Sequence, residues 1–373
     1  MNELLLASFN EVMSYALYIL IAILVLLLMI TVHELGHYIA GKILGFGIEE
    51  FSIGFGPKIY SKKKKNGEIF SVRLLPLGGF CAFKGEDKED ADESAFNNKK
   101  PWQRIIVLAS GAFMNYVTAV LVIALMFGIY GQNAIMTYKM QESLTGIENT
   151  FEDRDVIIKA DGKNVYLLTD LMEILDGKKE GEKVVFTIRR DSKKQNVEIV
   201  MLKDANFSNL EDIGTLCKVL GLTYETSAET GEVISTGFRT TGVRLGFFST
   251  IGRTFEYSFK LAGTVFTVLG QLLTGALGLG SVGGTVTTIS VTAGAIKTGG
   301  LWSLLNITAL IGVNLAVFNL LPIPALDGSR IVFTGVEWIR KKPINRRIEG
   351  IIHTVGLILI FLFAIIVDLN HCF

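Results

Sequence analysis

The sequence predicts a polytopic α-helical membrane protein of about four transmembrane helices, with a membrane-associated β-hairpin region and an extracytoplasmic α+β domain. Three observations carry that expectation. Of 373 residues, 50% are hydrophobic and only 19% charged, whereas a soluble domain carries about a quarter charged residues. The apolar residues are gathered into long runs. Lys and Arg collect in the connections between alternate runs. Composition also excludes several classes. Lys+Arg and Asp+Glu both number 36, so there is no basic footprint for nucleic acid and no net charge of the kind that keeps chains disordered. Three widely spaced cysteines, Cys81, Cys217 and Cys372, do not make a disulfide scaffold or a Cys-type zinc finger.

The first run, Tyr15 to Val32, carries no charge and continues directly into His33. Its eighteen residues meet the length of a spanning helix. A signal peptide is the competing reading, but it wants a basic leading region, and the first fourteen residues hold Glu3 and Glu11 with no Lys or Arg. Further spans are expected at Ile105 to Tyr130, roughly Leu301 to Leu321, and Ile351 to Val367. Between the first two, Phe51 to Phe83 alternates strand-like pieces with Gly and Pro, as β-hairpins at the membrane face or a simple capping loop would. The Lys62–Lys65 run lies here, and the connection 322–350 holds Arg330, Arg340, Lys341, Lys342, Arg346 and Arg347. Both connections read as cytoplasmic by the positive-inside rule, which places residues 131–300 outside. Within that outer segment, residues 138–203 read as a small α+β domain. Val156–Ile158, Val184–Ile188 and Val197–Leu202 are its strands, Asp161-Gly162 a hairpin turn and Leu167–Leu175 a helix. Residues 204–242 are polar and weakly patterned. Leu245 to Leu273 is apolar but carries Arg253, Glu256 and Lys260, as an amphipathic interfacial helix would. Residues 275–300, rich in Gly, Thr and Ser, show no clear period. The expected divisions are therefore 1–130, 131–205, 206–300 and 301–373.

The chemistry begins at His33-Glu34-Leu35-Gly36-His37. On a helix, positions i and i+4 share a face. Two imidazoles there can hold one zinc ion, and a glutamate between them can activate water. Alone, the string also fits a helix end with solvated side chains. Its context is an unbroken apolar span, where a charge costs about 2.5–3.5 kcal/mol on insertion scales and ionisable groups face a polar cavity. At about 1.5 Å per residue, His33 lies roughly 27 Å from Tyr15, near the cytoplasmic edge of the hydrocarbon layer. A hydrolytic zinc wants three protein ligands and an open position. His353 lies on an apolar helix and His371 near the end of the sequence, and both read as structural or interfacial. The better third ligand is Asp327 in Asn319-Leu320-Leu321-Pro322-Ile323-Pro324-Ala325-Leu326-Asp327-Gly328. Its prolines must break the third span, and such a break at membrane depth must be buried in protein or line a wet cavity. Alone, the string also reads as a helix stop followed by a turn.

Together the two motifs resemble the site-2 protease family of intramembrane zinc metalloproteases, of the bacterial regulator of sigma-E type. His33, Glu34 and His37 match its HExxH, and Asn319 to Gly328 its NxxPxPxLDG. The resemblance implies Zn2+ held by His33, His37 and Asp327, Glu34 as catalytic base, and Asn319 as a residue that positions substrate. Pro76 to Phe80 looks like the family's PxGG loop. Gly111 and Asn115 keep the ends of its Gly-Pro-x-x-Asn pattern without the proline, with Asn115 a further substrate-positioning candidate. Ser281 to Thr285 resembles another family loop, with Thr285 where proline is usual. The outer domain resembles a single PDZ domain around Asp155 to Ile157 and Asp161 to Lys163, although Gly146 to Arg154 departs from the usual form.

The implied function is cleavage of transmembrane segments of single-pass membrane proteins in the lipid bilayer of the bacterial cytoplasmic membrane. The active site would sit near the cytoplasmic side and the PDZ-like domain outside. Anti-sigma factors or signal-peptide remnants are the implied substrates, trimmed first by an upstream site-1 type protease, and no nucleic acid is involved. Two rivals stand beside this reading: a membrane zinc protease of soluble or misfolded chains, and a non-enzymatic PDZ membrane scaffold.

Overall fold

The computed structural model describes residues 2–86, 90–138, 150–191, 193–207, 212–226, 233–244, 246–275 and 283–372. Two compact units share the chain: residues 1–125 with 254–373, and residues 126–253.

Among the described residues, four stretches of helix are long and apolar enough to cross a membrane: Val12–Ile43, Pro101–Tyr130, Val286–Leu320 and Arg347–Leu369. They belong to α1 (Asn2–Ile43), α2 (Pro101–Tyr130), α6 (Thr285–Leu320) and α8 (Arg346–Cys372). In the first unit Met29 of α1 is fully buried beside Val25 and Ile311 of α6. The outward residues Leu17, Leu20, Leu24 and Leu28 of α1 are about half exposed. An apolar exterior is what a helix facing lipid presents, since there is no water there to exclude.

The connection from α1 to α2 folds as two long strands, β1 (Ile48–Lys63) and β2 (Ile69–Phe83). Residues 51–53 of β1 are flanked by two separate parts of β2. Phe51 faces both Phe70 and Cys81, Ser52 both Ser71 and Phe80, and Ile53 both Val72 and Gly79. The second part, residues 79–83, therefore forms an edge, and no other strand pairs with it among the described residues. Glu50 and Glu68 anchor this region. Glu50 accepts hydrogen bonds from Ser71, Arg73 and Lys58, and Glu68 from Lys42, Lys64 and Asn66. Burial pushes both carboxyls up, but these donors outweigh it and bring each to about 2.

The second unit is α+β. A six-stranded antiparallel sheet has the order β10 (Phe238–Val243), β3 (Gln132–Thr137), β4 (Val156–Ala160), β6 (Lys183–Arg190), β7 (Lys193–Val200), with β5 (Lys163–Asn164) paired to β4. Asp161 and Gly162, both at positive φ (44° and 77°), make the expected tight turn between β4 and β5. Helices α3 (Leu168–Leu175) and α4 (Ile213–Leu220) close one core with Phe151, Phe186 and Ile188. A two-stranded pair, β8 (Tyr224–Thr226) with β9 (Val233–Thr236), completes it.

Two segments depart from the sequence expectation, and a third, the amphipathic stretch, follows it. The stretch 204–242, expected to be polar and weakly patterned, supplies α4, β8, β9 and most of β10, with Leu216, Cys217 and Val219 fully buried. Its pattern was hard to read because the helix has eight residues and β10 pairs with a strand about a hundred residues upstream. The third span, expected from about 301, begins at 285. Asp368 of α8 accepts hydrogen bonds from the main-chain amides of Val286 and Thr287, capping the exposed donors of a helix start whose Thr-rich sequence hides the helical period. The helix is kinked at Gly300 (φ 57°, ψ −140°), where only glycine tolerates the backbone. The amphipathic stretch folds as α5 (Phe247–Thr274), which is not among the four candidate spans. It buries Tyr257, Leu261 and Val265 and exposes Phe255, Phe259 and Phe266. Of the family-like loop 281–285, residues 281 and 282 lie outside the described residues, as do residues 146–149 before β4.

Candidate functional site

The site lies wholly within the first unit. The last turns of the first span carry His33, Glu34 and His37 on α1. The i, i+4 spacing stacks the two imidazoles edge to face, with centroids 4.7 Å apart. Across from them, α6 ends at Leu320. Pro322 and Pro324 carry no amide hydrogen to continue it, and the chain passes through Ala325 at φ 78°. This left-handed conformation is costly outside glycine, about 1–3 kcal/mol. Two groups on α8 hold it. His353 Nδ1 accepts the amide hydrogen of Ala325 at 3.1 Å, and Gly356 lies so close to Pro324 that a Cβ there would stand 2.3 Å from the ring. The chain then enters α7 (Asp327–Arg340). Gly328 allows that start to press against the end of α6, since a Cβ would meet the carbonyl oxygen of Leu321 at 2.2 Å. The turn thereby aims the first residue of α7, Asp327, at the histidines.

The three donor atoms converge. Asp327 Oδ2 lies 3.0 Å from His33 Nε2 and 3.3 Å from His37 Nε2, and the two nitrogens are 3.1 Å apart. Four ligands at about 2.1 Å around a tetrahedral ion stand about 3.4 Å from one another, so the trio fits three corners of one zinc site. The donor set itself, two imidazoles and a carboxylate, is a hydrolytic zinc set. His37 is held from behind, its Nδ1 2.8 Å from the Val107 carbonyl oxygen, which fixes Nε2 as the lone-pair side. Beside both rings, near their Nε2 and Cε1 atoms, Gly111 of α2 lets the helices touch: a Cβ there would stand 2.5 Å from His37 Nε2 and 2.7 Å from His33 Cε1.

Glu34 shares a cavity of about 670 Å3 with His33, His37, Asp327, Cys81 and Arg330. Its side chain lies against the edge strand 79–83, where a Cβ on Gly79 would stand 3.5 Å from Glu34 Cγ. Arg330, one turn beyond Asp327, pairs with Glu86 at 2.5 Å. Arg104 and Glu337 form a second ion pair, 2.6 Å long and nearly buried. Asn319 sits on the last turn of α6, half-buried, and does not line this cavity. Asn115 is fully buried beside His33 and does not line it either. In sequence His353 reads as a structural or interfacial histidine, and its hold on Ala325 makes it part of the site's frame. No spacing rule could have paired a histidine on α8 with a loop 28 residues before it.

The sequence profile of peptidase family M50 matches residues 21–363. The chain belongs to peptidase family M50. Among its relatives, a Clostridium perfringens protein provisionally named a zinc metalloprotease is 32% identical over 95% of this chain and 98% of its own length. The zinc metalloprotease RasP of Bacillus licheniformis is 27% identical over 91% of this chain and 94% of its own. The regulator of sigma-W protease RasP of Bacillus subtilis is likewise 27% identical, with the same coverage. This M50 peptidase is a zinc metalloprotease, and its described residues include four helices long and apolar enough to span a bilayer.

Proposed function

We propose that the protein hydrolyses peptide bonds within the transmembrane segments of other membrane proteins, with zinc held by His33, His37 and Asp327. The observation that carries this reading is the position of the three donor atoms, 3.0–3.3 Å apart, at the end of a helix apolar enough to cross a membrane. Zinc, when bound, supplies Lewis-acid polarisation of the scissile carbonyl and lowers the pKa of water. Glu34 takes the water proton and hands it to the leaving amide nitrogen. A helical substrate shields its peptide bonds with its own hydrogen bonds, so it must unwind first. The free edge at residues 79–83 offers main-chain partners to an unwound segment, and that edge lies directly against Glu34. Asn319 would steady the substrate backbone from the end of α6.

The Lys/Arg distribution supports a site near the cytoplasmic face, with the second unit outside. The sequence pattern around Asp155 and Asp161 supports a PDZ-like character for that unit, which would dock or size-select substrates. The sigma-W protease name of the Bacillus relative supports anti-sigma-like single-pass substrates already shortened by another protease.

The test is cleavage of a membrane-embedded model substrate by the full chain in detergent, with and without chelator. Cleavage within the transmembrane segment that stops on chelation is expected. Cleavage confined to soluble chains would favour the rival protease reading, and intact zinc without cleavage of either would favour the scaffold.

A further inference from the structure

Asn115 is the most deeply placed polar group at the site, with no exposed surface. It lies on α2 one turn beyond Gly111, and its Nδ2 is 3.4 Å from His33 Nδ1. Its Oδ1 is buried with no hydrogen-bond partner among the described residues. Since it does not line the cavity that His33 and Glu34 share, a peptide lying in that cavity does not reach it. A half-turn of the carboxamide exchanges its oxygen and its nitrogen within the same space, and which end faces a partner is assigned from the hydrogen-bond network. The turned amide sets the orphan oxygen against His33 Nδ1. His33 Nδ1 then donates its hydrogen to Asn115 Oδ1, just as His37 Nδ1 donates to the Val107 carbonyl oxygen. Both rings are thereby pinned on their Nδ1 side, with the Nε2 lone pairs turned toward each other and toward Asp327.

We infer that Asn115 is a positioning residue for His33, an acceptor that fixes the ring's tautomer and orientation toward the metal, rather than a group that holds substrate. The inference rests on the reading of His33 as a ligand. Outer partners of this kind are worth about 10–100-fold in metal affinity.

The test uses the full chain in detergent, with zinc affinity measured by competition with a chelating dye, and KM and kcat measured separately. Asn115→Leu should weaken zinc binding by about 10–100-fold, lower kcat at limiting zinc, recover with excess zinc, and leave KM unchanged. Asn115→Asp keeps the shape and an acceptor but loses the amide donor, so it should hold zinc nearly as the parent does, with KM unchanged. It also answers the question if Asn115→Leu does not fold. Parental zinc affinity in Asn115→Leu, or a raised KM with normal zinc in Asn115→Asp, would overturn the inference in favour of a substrate-holding amide. His33→Ala, measured alongside, separates the two levels. Zinc retained there overturns the ligand reading itself, whereas zinc lost there but unchanged in Asn115→Leu overturns only the role of Asn115.

Discussion

Glu34 and His33 occupy adjacent positions yet should fail differently when changed. Glu34 is rotated about 100° around the helix from His33, and its side chain lies against the edge strand 79–83, outside the convergent donor trio. Glu34→Gln keeps the shape and removes the base. It should retain zinc while turnover of a transmembrane substrate falls about 10²–10⁴-fold. His33→Ala should lose metal and activity together. Zinc analysis beside turnover for both variants is the check, and near-parental turnover in Glu34→Gln would remove Glu34 from the mechanism. Gly111→Ala is a subtler change with a comparable outcome. Its methyl group would stand 2.5 Å from His37 Nε2 and 2.7 Å from His33 Cε1, so the rings or the helices must shift. Loss of zinc from a folded Gly111→Ala protein is expected, and full zinc occupancy would show that α2 can yield. The histidines were legible in the sequence because helix geometry makes i, i+4 a physical statement about one face. Gly111 was noted there only as part of a family pattern. Its pressure on the imidazoles depends on how α1 and α2 cross, which no local spacing encodes.

At the scale of elements, the turn between α6 and α7 is a strained piece of backbone held by α8. Removing His353 leaves the amide of Ala325 without its acceptor, a loss of about 0.5–1.5 kcal/mol. His353→Ala should therefore loosen Asp327 and weaken zinc binding by up to about tenfold, and His353→Gln, which keeps an acceptor, should lose less. Zinc affinity equal to the parent in His353→Ala would mean the prolines alone hold the turn. The β1–β2 region carries a pH dependence of its own. Glu50 and Glu68 sit at about 2 in the folded chain, below the roughly 4.3 of a free glutamate. Their stabilisation is therefore complete above about pH 4.3 and drains away as pH falls toward 2. Amide exchange of residues 48–63 and 69–83 should accelerate across that window, before the helices melt. Equal protection at pH 6 and pH 3 would count against it. The sequence announced where helices break, because proline removes a donor wherever it stands. It hid where α6 begins, because the cap on that end is Asp368, about eighty residues downstream.

For the whole molecule the clearest expectation concerns sidedness. On the positive-inside rule Lys63 is expected on the cytoplasmic side and Asp161 on the other. Single cysteines at these two positions, labelled with an impermeant reagent in intact cells and in opened vesicles, should react from opposite faces. Labelling of both from one face would overturn the arrangement. The apolar runs were readable because length and charge suffice to define a span. The full extent of the second unit was not. Its core draws Leu216, Cys217 and Val219 from a stretch whose polar neighbours conceal them, and its outer strand β10 returns to pair with β3 only after the rest of the sheet is made.

His33 and Asp327 touch across 294 residues, and that separation has a consequence in time. A ribosome adding about 5–20 residues per second needs roughly 15–60 s to travel from one to the other. For much of that interval the first span is free of the ribosome, with its histidine pair made and the carboxylate still unmade. If His33, His37 and Asp327 hold the metal as proposed, the nascent protein passes through the crowded insertion machinery, among the exposed helices of its neighbours, as a protease lacking one corner of that site. It arms itself only once its last helices have joined the first.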